Sequence, residues 1–218
     1  MEVYFRARGD FQVIHEPFAN VYWKGEAANP ILNCILDATK SSETPVFIKD
    51  IAHHVPKDIL CNKAFVEGFE HALVLRAPLA AFHSHLKVNP EVKAHEFGYI
   101  ALHKTFNYLK QRTGRKPVIM LADQLVLDPE ANIKNFCAAL DIAHIPEALS
   151  WQAKQQEDWS AGEKWQRRAG NSSGFEPNIK KNLPSILRRQ VCRCEAFLRW
   201  DYQSKTSRDG PCHRLTTK

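Results

Sequence analysis

Four short runs of apolar residues set the pattern of the chain. They cover Phe11–Ile14, Val46–Lys49, Ala72–Arg76 and Pro117–Ala122, and each is bounded by polar or turn-forming residues. None of the four alternates strictly between apolar and polar positions. A short continuous apolar run is typical of a strand that is covered on both faces, as in a parallel sheet. The pattern therefore predicts four buried β-strands.

Helical patterns separate these runs. The predicted helices are Pro30–Thr39, a helix that begins at Pro78, His95–Arg112 and Asp128–Leu140, and MEVYFRAR at the start has the pattern of the second half of a helix. A spacing of three and four residues places Cys34 on the buried face of the first helix and Ile100 on that of the third. Asp128 is the predicted cap of the fourth. Strand–helix alternation predicts a three-layer α/β/α domain with a mainly parallel sheet.

The pattern changes after residue 150. Trp151–Gly174 is polar and predicts a loop with short helical pieces, and Leu183–Tyr202 predicts a last amphipathic helix. The basic tail from Ser204 onward, residues 204–218, is predicted to be disordered. Residues 1–203 are therefore interpreted as one α/β domain.

Composition and charge limit the classes of ligand and partner that the chain is expected to bind. The chain has 218 residues and a formal net charge of +6, with much of the basic excess after residue 166. That excess is interpreted either as a solvated helix face and tail or as a site for a phosphorylated ligand, and no nucleic-acid-binding motif accompanies it. No apolar segment has membrane-spanning length, and no secretory signal pattern begins the chain, so a cytoplasmic protein without a membrane contact is expected. The six cysteines lack the spacing of a metal site, and no metal is expected.

Titratable and polar residues follow each predicted strand. They are His15 and Glu16 after the first strand, Lys49, Asp50, His53 and His54 around the end of the second, Arg76 and Ser84 after the third, and Asp123 after the fourth. In open parallel sheets, ligands bind at the carboxyl ends of the strands. Arg76 and Ser84 suit a phosphate monoester, because the first offers a planar fork of donors and the second a hydroxyl. The alternative is an arginine paired with a surface carboxylate beside an exposed serine, and Asp123 is assigned no role.

Several segments resemble a known family. FIKDIAHHV, LVLRAPLAAFHS and VIMLADQLVLDPEANIKNFCAALDI follow one another in the order seen in sulfotransferases dependent on 3′-phosphoadenosine 5′-phosphosulfate (PAPS). HEPF after the first strand resembles the smaller bacterial branch of that superfamily. The resemblance covers about residues 5–200. It implies a fold like that of the P-loop nucleoside triphosphate hydrolases, with PAPS as donor and no metal.

The resemblance also implies roles for individual residues. Arg76 and Ser84 match the arginine and serine that bind the 3′-phosphate of the donor. WQRRAGNSSGF resembles the loop that closes over the same phosphate, with Arg168 and Gly170 as its contacts and Arg167 as the alternative to Arg168.

Two residues compete for the role of the catalytic base. In many cytosolic members of the family the base is a histidine shortly after the second strand, which matches His53. In several bacterial and glycan-directed members it is a glutamate near the end of the first strand, which matches Glu16. His15 is interpreted as a residue that orients Glu16 or simply packs in the core.

The family's phosphosulfate-binding loop has no match in the sequence. MEVYFRAR matches the rear half of the helix that follows this loop, so the missing strand and loop are expected about 15–25 residues upstream of Met1. Either Met1 is an internal methionine of a complete enzyme, or the chain starts there and lacks most donor affinity.

The sequence thus predicts a sulfotransferase family protein that acts on a hydroxyl or amine of a small molecule or glycan, with its activity left open. A non-catalytic relative that binds a nucleotide or protein partner is the first alternative. A P-loop small-molecule kinase is the second, although it requires a Gly-Lys-Ser/Thr loop and a magnesium carboxylate. The acceptor and the oligomeric state are not predicted.

Overall fold

The computed structural model describes residues 1–176, in which helices outnumber strands. The helices are α1 Glu2–Arg8, α2 Ala19–Lys24, α3 Ala28–Ser41, α4 Lys57–Cys61, α5 Lys63–Gly68, α6 Pro78–Val88, α7 Tyr99–Thr113, α8 Ala122–Leu127, α9 Pro129–Ala139 and α10 Glu163–Gly170. The strands are β1 Gln12–His15, β2 Val46–Lys49, β3 Ala72–Leu75 and β4 Val118–Leu121. Short 3₁₀ helices cover Ala94–Phe97, Pro146–Leu149 and Glu157–Gly162.

The strands form two parallel pairs. β1 pairs with β2 in a register that sets His15 opposite Lys49, and β3 pairs with β4 so that Leu75 lies opposite Leu121. All four predicted strands are confirmed in position within two residues at either end, but Val74 of β3 is 46% exposed, so this strand is not covered on both faces as predicted. The single sheet that the alternation predicts is not seen among residues 1–176, where the two pairs are separate two-stranded sheets. The observed class is therefore α/β with short parallel strand pairs.

The β1–β2 pair lies between two apolar cores. We define the first core as Tyr4, Phe5, Met120, Leu125, Ile133, Phe136, Cys137 and Ala148, and the second core as Phe18, Ala28, Leu32, Ile35, Ile59, Phe65, Val66 and Leu109. Val13 and Phe47, which are partners in the register, pack against the first core. Ile14 and Ile48, the next partners, pack against the second core. Because successive side chains of a strand point to opposite faces, helices cover this pair on both sides.

Helix α1 confirms the helical pattern of MEVYFRAR. It ends at Gly9, whose φ of 72° is the left-handed conformation that glycine adopts without steric cost. Phe5 stacks on Phe47 of β2 with ring centroids 3.8 Å apart, which anchors the helix on the first core.

Two residues that the spacing places on buried helix faces are exposed, Cys34 and Ile100. In α3 the residues that enter the second core are Leu32 and Ile35, and Cys34 is exposed, so the buried face is rotated by part of a turn from the expected one. The helix predicted over His95–Arg112 begins only at Tyr99 because Gly98, with a φ of 72°, separates it from the preceding 3₁₀ helix. Ile100 then faces outward and is 70% exposed.

The later segments agree with the sequence pattern where the structure describes them. Asp128 caps α9 by accepting a hydrogen bond from the Ala131 N–H at 3.2 Å, as predicted. Trp151–Gly174 contains the short helices expected of it. The predicted helix Leu183–Tyr202 and the tail from Ser204 lie outside the described residues. In the part that is described, no helix combines the length and apolar character that crossing a membrane requires.

Candidate functional site

The carboxyl ends of β1 and β2 bring a carboxylate and an ammonium group together. The backbone N–H of Glu16 donates to the Lys49 carbonyl at 2.6 Å, which extends the pairing by one residue beyond the strands. Glu16 has a φ of 39°, an uncommon conformation for a residue with a side chain, and β1 ends there. Its Oε1 is in contact with Lys49 Nζ.

Nitrogen atoms surround only one oxygen of Glu16. Oε1 faces Lys49 Nζ, accepts from Gln166 Nε2 at 3.5 Å, and lies 3.8 Å from His15 Nε2. Oε2 has no hydrogen-bond partner within residues 1–176. The side chain is only 14% exposed, so the carboxylate is both oriented and largely shielded from solvent.

A second carboxylate, Glu2 of α1, is buried beside the first. Its Oε2 lies 2.7 Å from His15 Nδ1, and its Oε1 accepts from Trp159 Nε1 and from an Arg6 nitrogen, both at 2.8 Å. Burial alone raises the pKa of Glu2, but the hydrogen bonds from His15, Trp159 and Arg6 outweigh it and bring the pKa to about 2. Glu2 is therefore a carboxylate at neutral pH, and it joins α1, β1 and the 3₁₀ helix Glu157–Gly162.

His53 lies in the segment after β2, among aromatic rings. Its ring centroid is 4.7 Å from that of His54 and 5.1 Å from that of Tyr22. Its Nδ1 is buried without a hydrogen-bond partner in the described chain, and a Cβ at Gly98 would lie 3.3 Å from this atom. Burial lowers the pKa of His53 to about 4, and charge on His54 lowers it as well.

Asp50 holds the segment that carries His53. Its carboxylate accepts from the backbone N–H of Phe18 at 2.9 Å and from that of Ile51 at 2.7 Å. The first bond ties the residues after β1 to those after β2, so Glu16 and His53 are carried by two connected turns.

Arg76 follows β3, and its backbone is fixed on two sides. Its carbonyl accepts from the Tyr99 hydroxyl at 2.8 Å, and the next N–H, that of Ala77, donates to Asp123 Oδ2 at 2.8 Å. Neither the Arg76 guanidinium nor the Ser84 hydroxyl has a hydrogen bond or ion pair with any residue from 1 to 176. The alternative of an Arg76 paired with a surface carboxylate is therefore not seen among these residues.

Helix α10 carries Arg168 and Gly170 and contacts two parts of the site. Its Gln166 donates to Glu16 after β1, and its Trp165 ring lies 4.6 Å from that of His85 in α6 after β3. Arg168 is exposed, and Gly170 is buried. A side chain at Gly170 would overlap with the Gln155 amide, so this close approach requires glycine unless Gln155 moves.

Sequence reasoning missed several members of this site. The sequence pattern predicts no role for Glu2 or Gln166 and no contact between Trp159 and Glu2. In the fold, α1 returns Glu2 to β1, and the segment after residue 150 supplies Trp159 and Gln166. The only sequence signal for Glu2 is a carboxylate among the apolar residues of MEVYFRAR, which is a weak indication without the fold. Within residues 1–176, no group of three or more histidine, cysteine, aspartate or glutamate side chains is arranged to hold a metal ion.

Comparisons with known proteins give distant matches. No family model matches the chain. Branched-chain-amino-acid aminotransferase-like protein 2 of Arabidopsis thaliana is 27% identical over an alignment of 186 residues that covers 78% of this chain and 33% of that protein. Branched-chain-amino-acid aminotransferase-like protein 1 of the same plant is 26% identical over the same shares. The chain thus spans about a third of the length of these relatives.

Among solved structures, the sulfotransferase domain from the curacin biosynthetic pathway is similar to this chain. The match covers 89% of this chain and 86% of that domain, with a TM-score of 0.36 and 11% sequence identity.

Proposed function

We propose that the chain is a sulfotransferase-type domain that moves the sulfuryl group of PAPS to a hydroxyl or amine of a small molecule or glycan. The observation that carries the proposal is the asymmetry of Glu16, whose Oε1 is held by the donors Lys49 and Gln166 while Oε2 has no partner in residues 1–176. A general base must be oriented and must also keep one atom available for the proton. The family resemblance of the surrounding motifs supports the same reaction, and the proposed fold is of the P-loop nucleoside triphosphate hydrolase type.

The reaction in this proposal is an in-line displacement at sulfur. Glu16 Oε2 takes the proton of the acceptor as the acceptor oxygen or nitrogen bonds to sulfur, and the bond from sulfur to the leaving phosphate breaks. The leaving group gains negative charge, so cations that stabilise it accelerate the step. Arg76, Ser84, Arg168 and Gly170 are proposed to bind the 3′-phosphate of the donor, and no metal takes part.

Glu16 is preferred to His53 as the base. A catalytic histidine needs a partner that holds its ring in one orientation. His53 lacks such a partner among residues 1–176, and its buried Nδ1 makes no hydrogen bond there. A pKa of about 4 also removes the advantage that a histidine with an ordinary pKa of 6.5 would have as a base at neutral pH.

Three other functions would require different roles of the residues in this site. A non-catalytic relative would bind the nucleotide through Arg76 without turnover, and a kinase would require magnesium. The names of the curated relatives suggest an aminotransferase, whose pyridoxal phosphate cofactor forms a Schiff base with a free lysine amine. Lys49 is the lysine of this site, and its ammonium group is engaged by Glu16. We therefore do not assign Lys49 the role of a Schiff-base lysine.

Calorimetry with 3′-phosphoadenosine 5′-phosphate tests the donor site. Arg76→Ala is expected to weaken binding of this bisphosphate by about 10- to 100-fold, because a bidentate charge-assisted contact is lost. Arg115→Ala is the matched control, since Arg115 is an exposed arginine already paired with Glu70 at 2.8 Å. Equal affinity in the wild type and Arg76→Ala would refute the assignment of the site. Binding without sulfuryl transfer to any acceptor would favour the non-catalytic relative.

A further inference from the structure

The side chains of a buried carboxylate, a histidine and the proposed base lie next to one another in a row. Glu2 Oε2 is 2.7 Å from His15 Nδ1, and His15 Nε2 is 3.8 Å from Glu16 Oε1. The side chains of Glu2 and His15 are each 7% exposed. His15 therefore joins Glu16 to a charge that lies deeper in the protein, and the proposed function leaves this connection unused.

Glu2 decides which nitrogen of His15 carries a hydrogen. A carboxylate only accepts hydrogen bonds, so the short contact requires that His15 Nδ1 donate to Glu2. The other oxygen of Glu2 is already occupied by Trp159 and Arg6, which holds the carboxylate in place. In a neutral His15 the lone pair is consequently on Nε2, the nitrogen that faces Glu16.

This tautomer makes the contact between His15 and Glu16 depend on the proton. A neutral Nε2 cannot donate to a carboxylate, but it can accept a hydrogen bond from a carboxylic acid. While His15 is neutral, the contact becomes favourable only after Glu16 has taken a proton. The present 3.8 Å separation has to shorten by about 1 Å for that bond, as catalytic hydrogen bonds often do when substrate is bound.

We propose that His15 is a positioning residue that receives the proton from Glu16, so that Glu16, His15 and Glu2 form a proton relay. The inference rests on the proposed function, which supplies the proton. The acceptor proton moves to Glu16, the new bond to sulfur forms, and the leaving phosphate keeps the electrons of the broken bond. Rotation of the Glu16 carboxyl group then presents the proton to His15 Nε2. The resulting imidazolium lies between the carboxylates of Glu2 and Glu16, which stabilise its charge.

Other charged groups face this relay. They are Arg6 beside Glu2, Lys49 beside Glu16, and Asp158, which is paired with Arg6 at 2.5 Å. All of these charged groups are present in the wild type and in the variants below, so a comparison of wild type with variant reports the effect of His15 alone.

His15→Asn separates the relay from a structural role. The asparagine amide nitrogen takes the place of Nδ1 and keeps the donation to Glu2, whereas the Nε2 acceptor is lost. We expect kcat for sulfuryl transfer to fall by about 10-fold or more, KM for the acceptor to change less than about twofold, and the acidic limb of the kcat/KM pH profile to move. His103→Asn, on α7 beside Asn107, is the control and should keep wild-type kinetics. Wild-type kcat and pH profile in a folded His15→Asn would overturn the relay.

The tautomer of His15 tests the relay without turnover. Nitrogen NMR of the histidine-labelled wild-type protein should show His15 with hydrogen on Nδ1 and a lone pair on Nε2. Glu16→Gln should shift the Nε2 signal, because the amide can donate where the carboxylate cannot. A hydrogen on Nε2 in neutral His15 would refute the relay even in an active enzyme. A protein that neither binds the bisphosphate nor transfers sulfuryl, yet shows the expected tautomer, would refute the proposed function while keeping the relay geometry.

Discussion

The carboxylate of Asp123 accepts a hydrogen bond from the backbone N–H of Ala77, with 2.8 Å between Oδ2 and N. Ala77 follows Arg76 and is the N-cap of α6, while Asp123 is in the first turn of α8, directly after β4. The bond fastens the chain beside Arg76 to the neighbouring strand. Asp123 therefore acts as a support for the proposed phosphate arginine rather than as a member of the reaction.

Asp123→Ala is expected to lower the free energy of unfolding by about 1–3 kcal/mol, because the Ala77 N–H loses a charged acceptor. It should also weaken bisphosphate binding by displacing Arg76. Asp123→Asn keeps an oxygen acceptor and should recover most of both losses. Chemical denaturation and calorimetry measure the two effects. If Asp123→Ala loses stability but keeps full affinity, the position of Arg76 does not depend on this bond.

Glu16→Gln and His53→Ala decide the identity of the base. Glu16→Gln is expected to lower kcat by about 10²- to 10⁴-fold, the usual contribution of a general base, and to leave the dissociation constant of the bisphosphate within about twofold. His53→Ala should have the smaller effect on kcat. Steady-state sulfuryl transfer and calorimetry on the same preparations provide the comparison. A larger loss of kcat in His53→Ala would transfer the role to His53.

The sequence was a good guide to the elements and a poorer guide to their contacts. Apolar runs located all four strands, and the Asp128 cap located the start of α9, because both signals are local. The break before α7 was missed because a helical periodicity continues across Gly98. What decides there is the left-handed conformation of Gly98, whose φ of 72° ends the 3₁₀ helix before α7 begins.

The same limit applies to the site. Glu16 and Lys49 were indicated by their positions at the ends of two strands. These residues do meet, because β1 and β2 are parallel and paired, so their carboxyl ends lie side by side. The alternatives for His15 could not be separated by sequence, because its partner Glu2 comes from the preceding helix and the angle between helix and strand is set by packing. Trp159 approaches from 157 residues away along the chain, a distance at which no local pattern is informative.

Gly170 and Gln155 form a pair whose variants separate packing from phosphate binding. Gly170→Ala places a methyl group on the Gln155 amide, which is the flexible end of a side chain, so the loss of stability should be below about 1 kcal/mol. In the Gln155→Ala background the methyl group has room. If Gly170 is needed for close approach of the donor phosphate, Gly170→Ala should weaken bisphosphate binding equally in both backgrounds. Restored binding in the double variant would show that Gly170 only packs against Gln155.

Glu2 should govern the stability of the protein in strong acid. Its pKa of about 2 lies below the ordinary value of 4.5, so its contribution to stability is complete above about pH 4.5 and is lost as the pH falls toward 2. Glu2→Gln should therefore lower Tm at pH 7 and reduce the dependence of Tm on pH within this window. Thermal unfolding followed by circular dichroism measures both. An unchanged slope between pH 4.5 and 2 would show that other carboxyl groups dominate acid unfolding.

Protonation of His53 should lower the stability of the protein over a separate, less acidic pH range. Its pKa of about 4 in the folded protein lies below the ordinary value of 6.5, so the unfolded chain binds more protons between these values. Stability should fall as the pH decreases from 6.5 to 4 and should be flat above that range as far as His53 is concerned. His53→Gln removes the titrating ring and should flatten this limb of the Tm profile, an effect of the order of 1 kcal/mol for a partly exposed group. The limb below pH 4.5 should remain, because Glu2 is intact. If His53→Gln keeps the wild-type slope between pH 6.5 and 4, protonation of the His53 ring is not what destabilises the fold.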